Sequence, residues 1–276
     1  MMKNYGIKAA VAGILVGLLC HSVSAQTFLL QSLPENNPQF SLRYLRPNFE
    51  ADVDFSTFSG IYDLSFDLPV SSNLNLIGSL PFTAMDFEGP ESESGIGNIY
   101  IGFQTRRHPT PERTSSVSFG LFLPTAPDDK FSLLFVNIYT NLHQQEKYIP
   151  DMLTVYGNYA YHSIQPGGVK LGVEFGPQLY VPTDDEGDES ELFVHYGFTG
   201  GAQVTHFAIF AELVGLAVIT EEADEFGDRF THSLVFGSQW TEGIVKPGIF
   251  YQIYLDEDME EVVDGVFGIK IETSLK

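Results

Sequence analysis

Between Gly60 and Phe82 the side chains alternate with a period of two, and the face opposite the apolar one carries charge. Tyr62, Leu64, Phe66 and Leu68 stand against Asp63, Ser65 and Asp67. After Val70, Ser71 and Ser72 the pattern restarts, with Leu74, Leu76, Leu80 and Phe82 against Asn73, Asn75 and Ser79. A period of two marks a strand, and two strands joined by so short a turn form a hairpin. The alternation recurs along the chain and defines twelve candidate strands. They lie near Gln39 to Pro47, in the hairpin, then at Gly95 to Arg106, Ser115 to Leu123, Met152 to His162 and Val169 to Val181. The rest lie near Glu191 to Thr199, His206 to Thr220, Arg229 to Gln239, Ile244 to Leu255 and Val262 to Thr273. The fold class this predicts is all-β, a single antiparallel up-and-down barrel of about 12 strands.

The connections alternate in length. Val70 to Ser72, Gln165 to Gly168 and Thr241 to Gly243 are tight turns. Thr83 to Ser94, Thr183 to Ser190, Glu221 to Asp228 and Asp256 to Glu261 are longer and hold nineteen of the 36 acidic residues. Short turns on one rim and long loops on the other are the pattern of bacterial outer-membrane barrels. In lipid every backbone polar group needs a partner inside the protein, so the β solution is a closed barrel with apolar side chains outward and polar ones in the lumen. A soluble barrel or sandwich gives the same alternation with the faces reversed. Ionisable side chains on the polar face, and strands of about 9 to 13 residues, the length a tilted strand needs to cross a bilayer, favour the membrane reading.

Met1 to Ala25 reads as a secretory signal peptide: Lys3 and Lys8, an apolar run from Ala9 to Leu19, then Val23-Ser24-Ala25 as a small-residue cleavage site. Cleavage after Ala25 would remove Cys20, the sole cysteine, and with it disulfide and thiolate chemistry. Two lysines and no acid go too, which takes the net charge from −22 to −24 and speaks against nucleic acid as a partner. No later apolar run reaches the about 18 residues of a helical span. Residues 26–38 are expected to form a periplasmic lead-in and residues 39–276 the barrel, in the outer membrane of a Gram-negative bacterium.

Four short segments carry a family resemblance: Asp67-Leu68-Pro69 through Ser79-Leu80-Pro81-Phe82, Gly95-Ile96-Gly97-Asn98, Phe122-Leu123-Pro124-Thr125, and Ala211-Glu212-Leu213. In these the chain resembles the outer-membrane transporter family of the MetA pathway of phenol degradation. That family has an Asp where Asn98 stands and a Gly where Ala126 stands. The chain ends Thr273-Ser274-Leu275-Lys276, without the terminal aromatic common to bacterial outer-membrane barrels. The resemblance implies a barrel that carries small solutes, aromatic ones included.

The function expected is a passive channel for small, hydrophobic or aromatic solutes, without cofactor or covalent step. Asp63, Asp67, Gln104, Arg106, Lys170, Glu174, Gln178, Lys246, Gln252, Lys270 and Glu272 are expected to line the lumen, with Tyr100, Tyr156, Tyr180 and Tyr254 offering faces for stacking. Two alternatives stand beside it: a barrel that binds surface ligands without transport, and a soluble periplasmic barrel with an apolar ligand inside. Catalysis is not expected. His232 and Ser233 are neighbours on a strand and point to opposite faces, and His162, His195 and His206 are isolated in sequence. The acidic loops lack the Asp-x-Asp-x-Asp-Gly spacing of a dedicated calcium loop. They are expected at most to gather Ca²⁺ or Mg²⁺ weakly and so bridge to lipopolysaccharide. Phe131 to Asp151 breaks the alternation and is expected either to extend strands above the membrane or to fold as a lid.

Overall fold

The computed structural model describes residues 27–31, 36–49, 59–86, 92–110, 112–165, 168–184, 189–220 and 229–275; the stretch read as a signal peptide and about half of the acidic-loop residues lie outside these. Period-two patterning yields β1 (Gln39–Phe49), β2 (Gly60–Ser71), β3 (Leu74–Asp86), β4 (Ser92–Ile96), β5 (Ile99–Thr110), β6 (Arg113–Leu123), β7 (Met152–Ile164), β8 (Val169–Pro182), β9 (Glu191–Val204), β10 (Phe207–Val218), β11 (Phe230–Trp240), β12 (Val245–Tyr254) and β13 (Val263–Ser274). Each strand runs antiparallel to its neighbours, and pairing of β1 with both β13 and β2 closes the sheet. The result is a twelve-stranded barrel with β4 as an extra strand on the upper part of β3.

The strand expected from Gly95 to Arg106 is therefore two strands, broken at Gly97 and Asn98. Ile96 pairs with Phe82, whereas Tyr100 pairs with Ser79. The break has a hydrogen-bonding cause. Gly97 N donates to Pro81 O and Asn98 N donates to Lys147 O, so neither residue continues a ladder.

The outward face is apolar, and the inner face carries the polar side chains together with an apolar cluster, Phe210, Val214 and Phe250 among it, packed on Phe28, Leu29 and Leu30. Phe119 is 59% exposed and Phe175 55%, while Asn75, Glu212 and Gln252 on the inner face are 0% exposed. These are the reverse of the faces that a soluble barrel with an apolar core requires, and they overturn that alternative. Burying amides and carboxylates is costly unless they are paired. The inner face meets this cost with cross-strand pairs such as Lys246 with Glu272 and Arg43 with Asp63.

Gln39 pairs with Ser274 at the rim of short turns. The residues between β6 and β7 enter the barrel at the opposite rim. They form neither strand extensions nor a lid but helix α1 (Phe131–Asn141), followed by a 3₁₀ turn (Leu142–Lys147). Leu133, Val136, Asn137 and Thr140 recur with helical spacing and form its buried face. The last helix, α2 (Glu257–Glu260), is a single turn between β12 and β13.

Candidate solute chamber in the barrel lumen

Two segments occupy the lumen, one from each end. The first is Thr27–Gln31, part of the stretch expected in the periplasm, and it lies inside the barrel. Its backbone is held by Glu212 on β10, whose carboxylate accepts from Phe28 N at 2.7 Å, Leu29 N at 3.0 Å and Leu30 N at 3.4 Å. Lys270 Nζ donates to Thr27 O at 2.8 Å, Arg43 Nη1 to Phe28 O at 2.9 Å, and Gln31 N to Glu174 Oε2 at 2.9 Å. A carboxylate that takes several N–H donors is well satisfied despite full burial. The side chains dock as tightly. The Phe28 ring stacks on Phe250 at 4.8 Å, and Gly237 and Gly197 leave the room that Phe28 and Leu30 fill, since a Cβ at either would come within 2.5 Å of those side chains.

The second segment is the 3₁₀ turn after α1. Lys147 Nζ reaches Asp63, which also binds Arg43 Nη2 at 2.9 Å. The segment is fastened by the side chain of Asn98, whose Nδ2 donates to Glu146 O at 3.0 Å and Ile149 O at 2.6 Å. Its Oδ1 accepts from Thr125 N and Ala126 N, both at 2.9 Å. A Cβ on Gly97 would stand 2.3 Å from Lys147 O. Gly97 is thus the contact point at which the wall and the inserted turn meet backbone to backbone.

Between the two segments lies a cavity of about 220 Å³. One wall is aromatic. Tyr100 and Phe122 are 4.6 Å apart between ring centroids, Tyr156 stands edge-on to both, and Tyr156 stacks on His195 at 5.0 Å and 6°. Another wall is the inserted turn, which presents His143, Gln144 and Glu146. Burial pushes the Glu146 carboxyl up to about 7 and holds the His143 imidazole down near 3, with His232 adding to the second effect. At neutral pH His143 is uncharged and Glu146 is poised near its midpoint.

The side chains expected in the lumen fall on the inner face at three levels. Asp67, Gln104, Arg106, Lys170, Lys246, Lys270 and Glu272 lie toward the short-turn rim. Asp63 and Glu174 lie level with the N-terminal segment. Tyr100, Tyr156, Gln178, Tyr180, Gln252 and Tyr254 lie toward the long-loop rim. Asp63, Asp67, Tyr100, Gln104, Tyr156, Glu174, Gln178, Lys270 and Glu272 border the cavity. Arg106, Lys170, Tyr180, Lys246, Gln252 and Tyr254 do not.

No family model matches the chain, and no curated protein sequence does. Solved structures match it across most of its length. It is similar to the COG4313 outer-membrane channel from Pseudomonas putida F1, with 13% identity, 92% of this chain and 100% of that one covered, and a TM-score of 0.65. The KdgM porin (5% identity, 86% and 99% covered, TM-score 0.52) and the NanC porin (7%, 87% and 99%, 0.51) share the architecture. The chain has the fold of outer-membrane channels. At these identities the likeness speaks for the architecture alone.

Residues that hold the segments in the lumen escaped the sequence reading. Glu212 is a lone acid in the apolar run FAIFAELVGLAV of β10, and a solitary charge in such a run is a signal that it has a dedicated partner. Arg43 sits two places from Ser41 on the inward face of β1, the least regular of the candidate strands. Asn98, noted only as a departure from a family motif, makes four hydrogen bonds.

Proposed function

We propose that the protein is an outer-membrane channel, exported through a signal peptide cleaved after Ala25, that passes small apolar or aromatic solutes by diffusion. The observation that carries this is the inverted barrel: an apolar outer surface around a polar lumen that still contains an aromatic-walled chamber. No covalent step and no cofactor enter. Passage requires the two lumenal segments to shift, because the chamber between them is smaller than the about 300 Å³ from which pockets for drug-sized ligands start. The MetA-type resemblance of Gly95 to Asn98 and Phe122 to Thr125 supports an aromatic solute. The acidic loops would face outward, where divalent cations and lipopolysaccharide are the partners their charge suits.

A second reading is a non-conducting barrel, favoured by the bond from Gln144 Nε2 on the inserted turn to Leu29 O on the N-terminal segment. Current across planar bilayers decides between them. The channel reading expects small, infrequent openings for the native protein and larger, longer ones once Glu212 is replaced. Silence from both would leave the non-conducting barrel.

A further inference from the structure

We propose that the chamber binds small organic cations, ammonium compounds carrying an aromatic or short alkyl group, with Glu146 as counter-charge and Tyr100, Phe122 and Tyr156 as the cation-facing wall. This deepens the channel reading by naming the class of solute at the same site, and it rests on that reading only in placing the chamber on the solute's route.

The positive groups that border the chamber are already engaged. Arg43 is shared among Asp63, Phe28 O and Gln144, Lys147 is bound to Asp63, and Lys270 is bound to Glu272 and Thr27 O. Of these cations Arg43 keeps one open donor, Nε. Two carboxylate oxygens are open beside it. Glu146, only 3% exposed, has an oxygen, Oε2, without a hydrogen-bond partner, and the second oxygen of Asp63, Oδ1, is in the same state. A ligand that brings a positive donor would meet these oxygens and favour the charged form of the Glu146 carboxyl against the burial that opposes it.

The shape of the site agrees. Tyr100, Phe122 and Tyr156 form a corner with two edge-to-face contacts, and Glu146 borders the same cavity. Ring faces attract cations through their quadrupole, and aromatic cages with a nearby carboxylate are a recurrent way of holding ammonium groups. A cavity of about 220 Å³ accommodates such a molecule. At the long-loop rim Asp256, Glu257, Asp258, Glu260 and Glu261, between β12 and β13, add a negative field, which concentrates cations and repels anions.

The test is calorimetric titration of the full chain, extracted in detergent and shown to be folded by its shift on boiling, with benzyltrimethylammonium, benzyl alcohol and benzoate. The expected result is binding of the ammonium at least tenfold tighter than either of the others. Glu146→Gln should remove that preference, and Tyr156→Leu should weaken the ammonium at least fivefold even if the first variant fails to fold. Equal affinity for the three probes, no binding of the ammonium, or an unchanged preference in folded Glu146→Gln overturns the proposal. Binding is read without current. A protein that binds but never conducts therefore defeats the channel reading alone, and one that conducts without binding defeats this proposal alone.

Discussion

The side-chain amide of Gln144 donates from Nε2 to the backbone carbonyl of Leu29 at 2.9 Å. Gln144 sits on the turn inserted from one rim and Leu29 on the segment inserted from the other, so the two obstructions of the lumen touch. The Oε1 of the same amide accepts from Arg43 Nη2, which ties the contact to the wall. Gln144→Ala removes both bonds and a third, accepted by Oε1 from Asn141 Nδ2 at 3.1 Å, and about 1 to 2 kcal/mol of coupling goes with them. The expected outcome is an open probability up to tenfold or more above the native protein. A double-mutant cycle with Glu212→Gln should be non-additive, since the residues act on one assembly. Additive effects within about 0.3 kcal/mol would mean that the segments move independently.

Glu212 holds three consecutive N–H groups of the N-terminal segment, more than any other side chain among the described residues. Glu212→Gln keeps the shape but halves the acceptor capacity and removes the charge, which costs the docked segment on the order of 1 to 3 kcal/mol. The cysteine-free barrel makes this measurable. A Cys placed at Leu29, which is 5% exposed, should react slowly with a membrane-impermeant maleimide in the native background and at least tenfold faster beside Glu212→Gln. Equal rates would show that Glu212 is not what retains the segment.

Gly97→Ala tests the other insertion. The new Cβ would meet Lys147 O, a backbone atom that cannot swing aside, so the turn has to retreat and carry the Lys147–Asp63 pair with it. The expected phenotype is a leakier pore in a barrel that still shows its heat shift. A native conductance would mean that the turn has another resting place.

The strands were legible in the sequence because alternation is local: each residue reports its own face. The faces were decided by loop lengths and by charges such as Lys170 and Glu174 in β8. The contents of the lumen were not legible, because what holds Phe28 is 184 residues away at Glu212, and no periodicity links them. The helical spacing of Leu133, Val136, Asn137 and Thr140 was present in the sequence but stood in a stretch read only for its lack of alternation. The segments that carried the family resemblance turn out to be the fasteners. Asn98 bonds the inserted turn, Pro81 and Thr125 bond Gly97 and Asn98, and Glu212 anchors the N-terminal segment.

A charge on the outer face separates a barrel in lipid from one in water. Phe175 is central in β8, 55% exposed, and its ring lies 5.6 Å from that of Tyr159. Phe175→Arg should destabilise the protein by about 2 to 4 kcal/mol when unfolded by urea from lipid vesicles, the cost of a cation near the bilayer midplane. A change below about 0.5 kcal/mol would be that of an exposed site in water, and would count against the membrane assignment.

Glu146 and His143, three residues apart on the inserted turn, give docking a pH response in which opposite slopes cancel. Glu146, raised by burial from 4.5 to about 7, keeps a proton when docked that it releases when free, so its contribution to docking is lost as pH rises from 4.5 to 7. His143, lowered by burial from 6.5 to about 3, takes up a proton only when free, so docking is weakened as pH falls below 6.5. Between 4.5 and 6.5 the two slopes oppose, and the native open probability should be nearly flat. Glu146→Gln leaves the histidine alone, and opening should increase on acidification below 6.5. His143→Asn leaves the carboxylate, and opening should increase as pH climbs from 4.5 to 7. Each unmasked slope spans about 3 kcal/mol at most over two pH units, a change of up to about a hundredfold in the ratio of open to closed. Lys147, Arg43 and Tyr180 act electrostatically on Glu146 and His232 on His143, and the Tyr254 ring stacks on His143 at 5.9 Å; none of these is altered in either variant. Single-channel recordings from pH 4 to 8 on the three proteins provide the check, and parallel profiles in all three would show that neither group titrates with the movement of the turn.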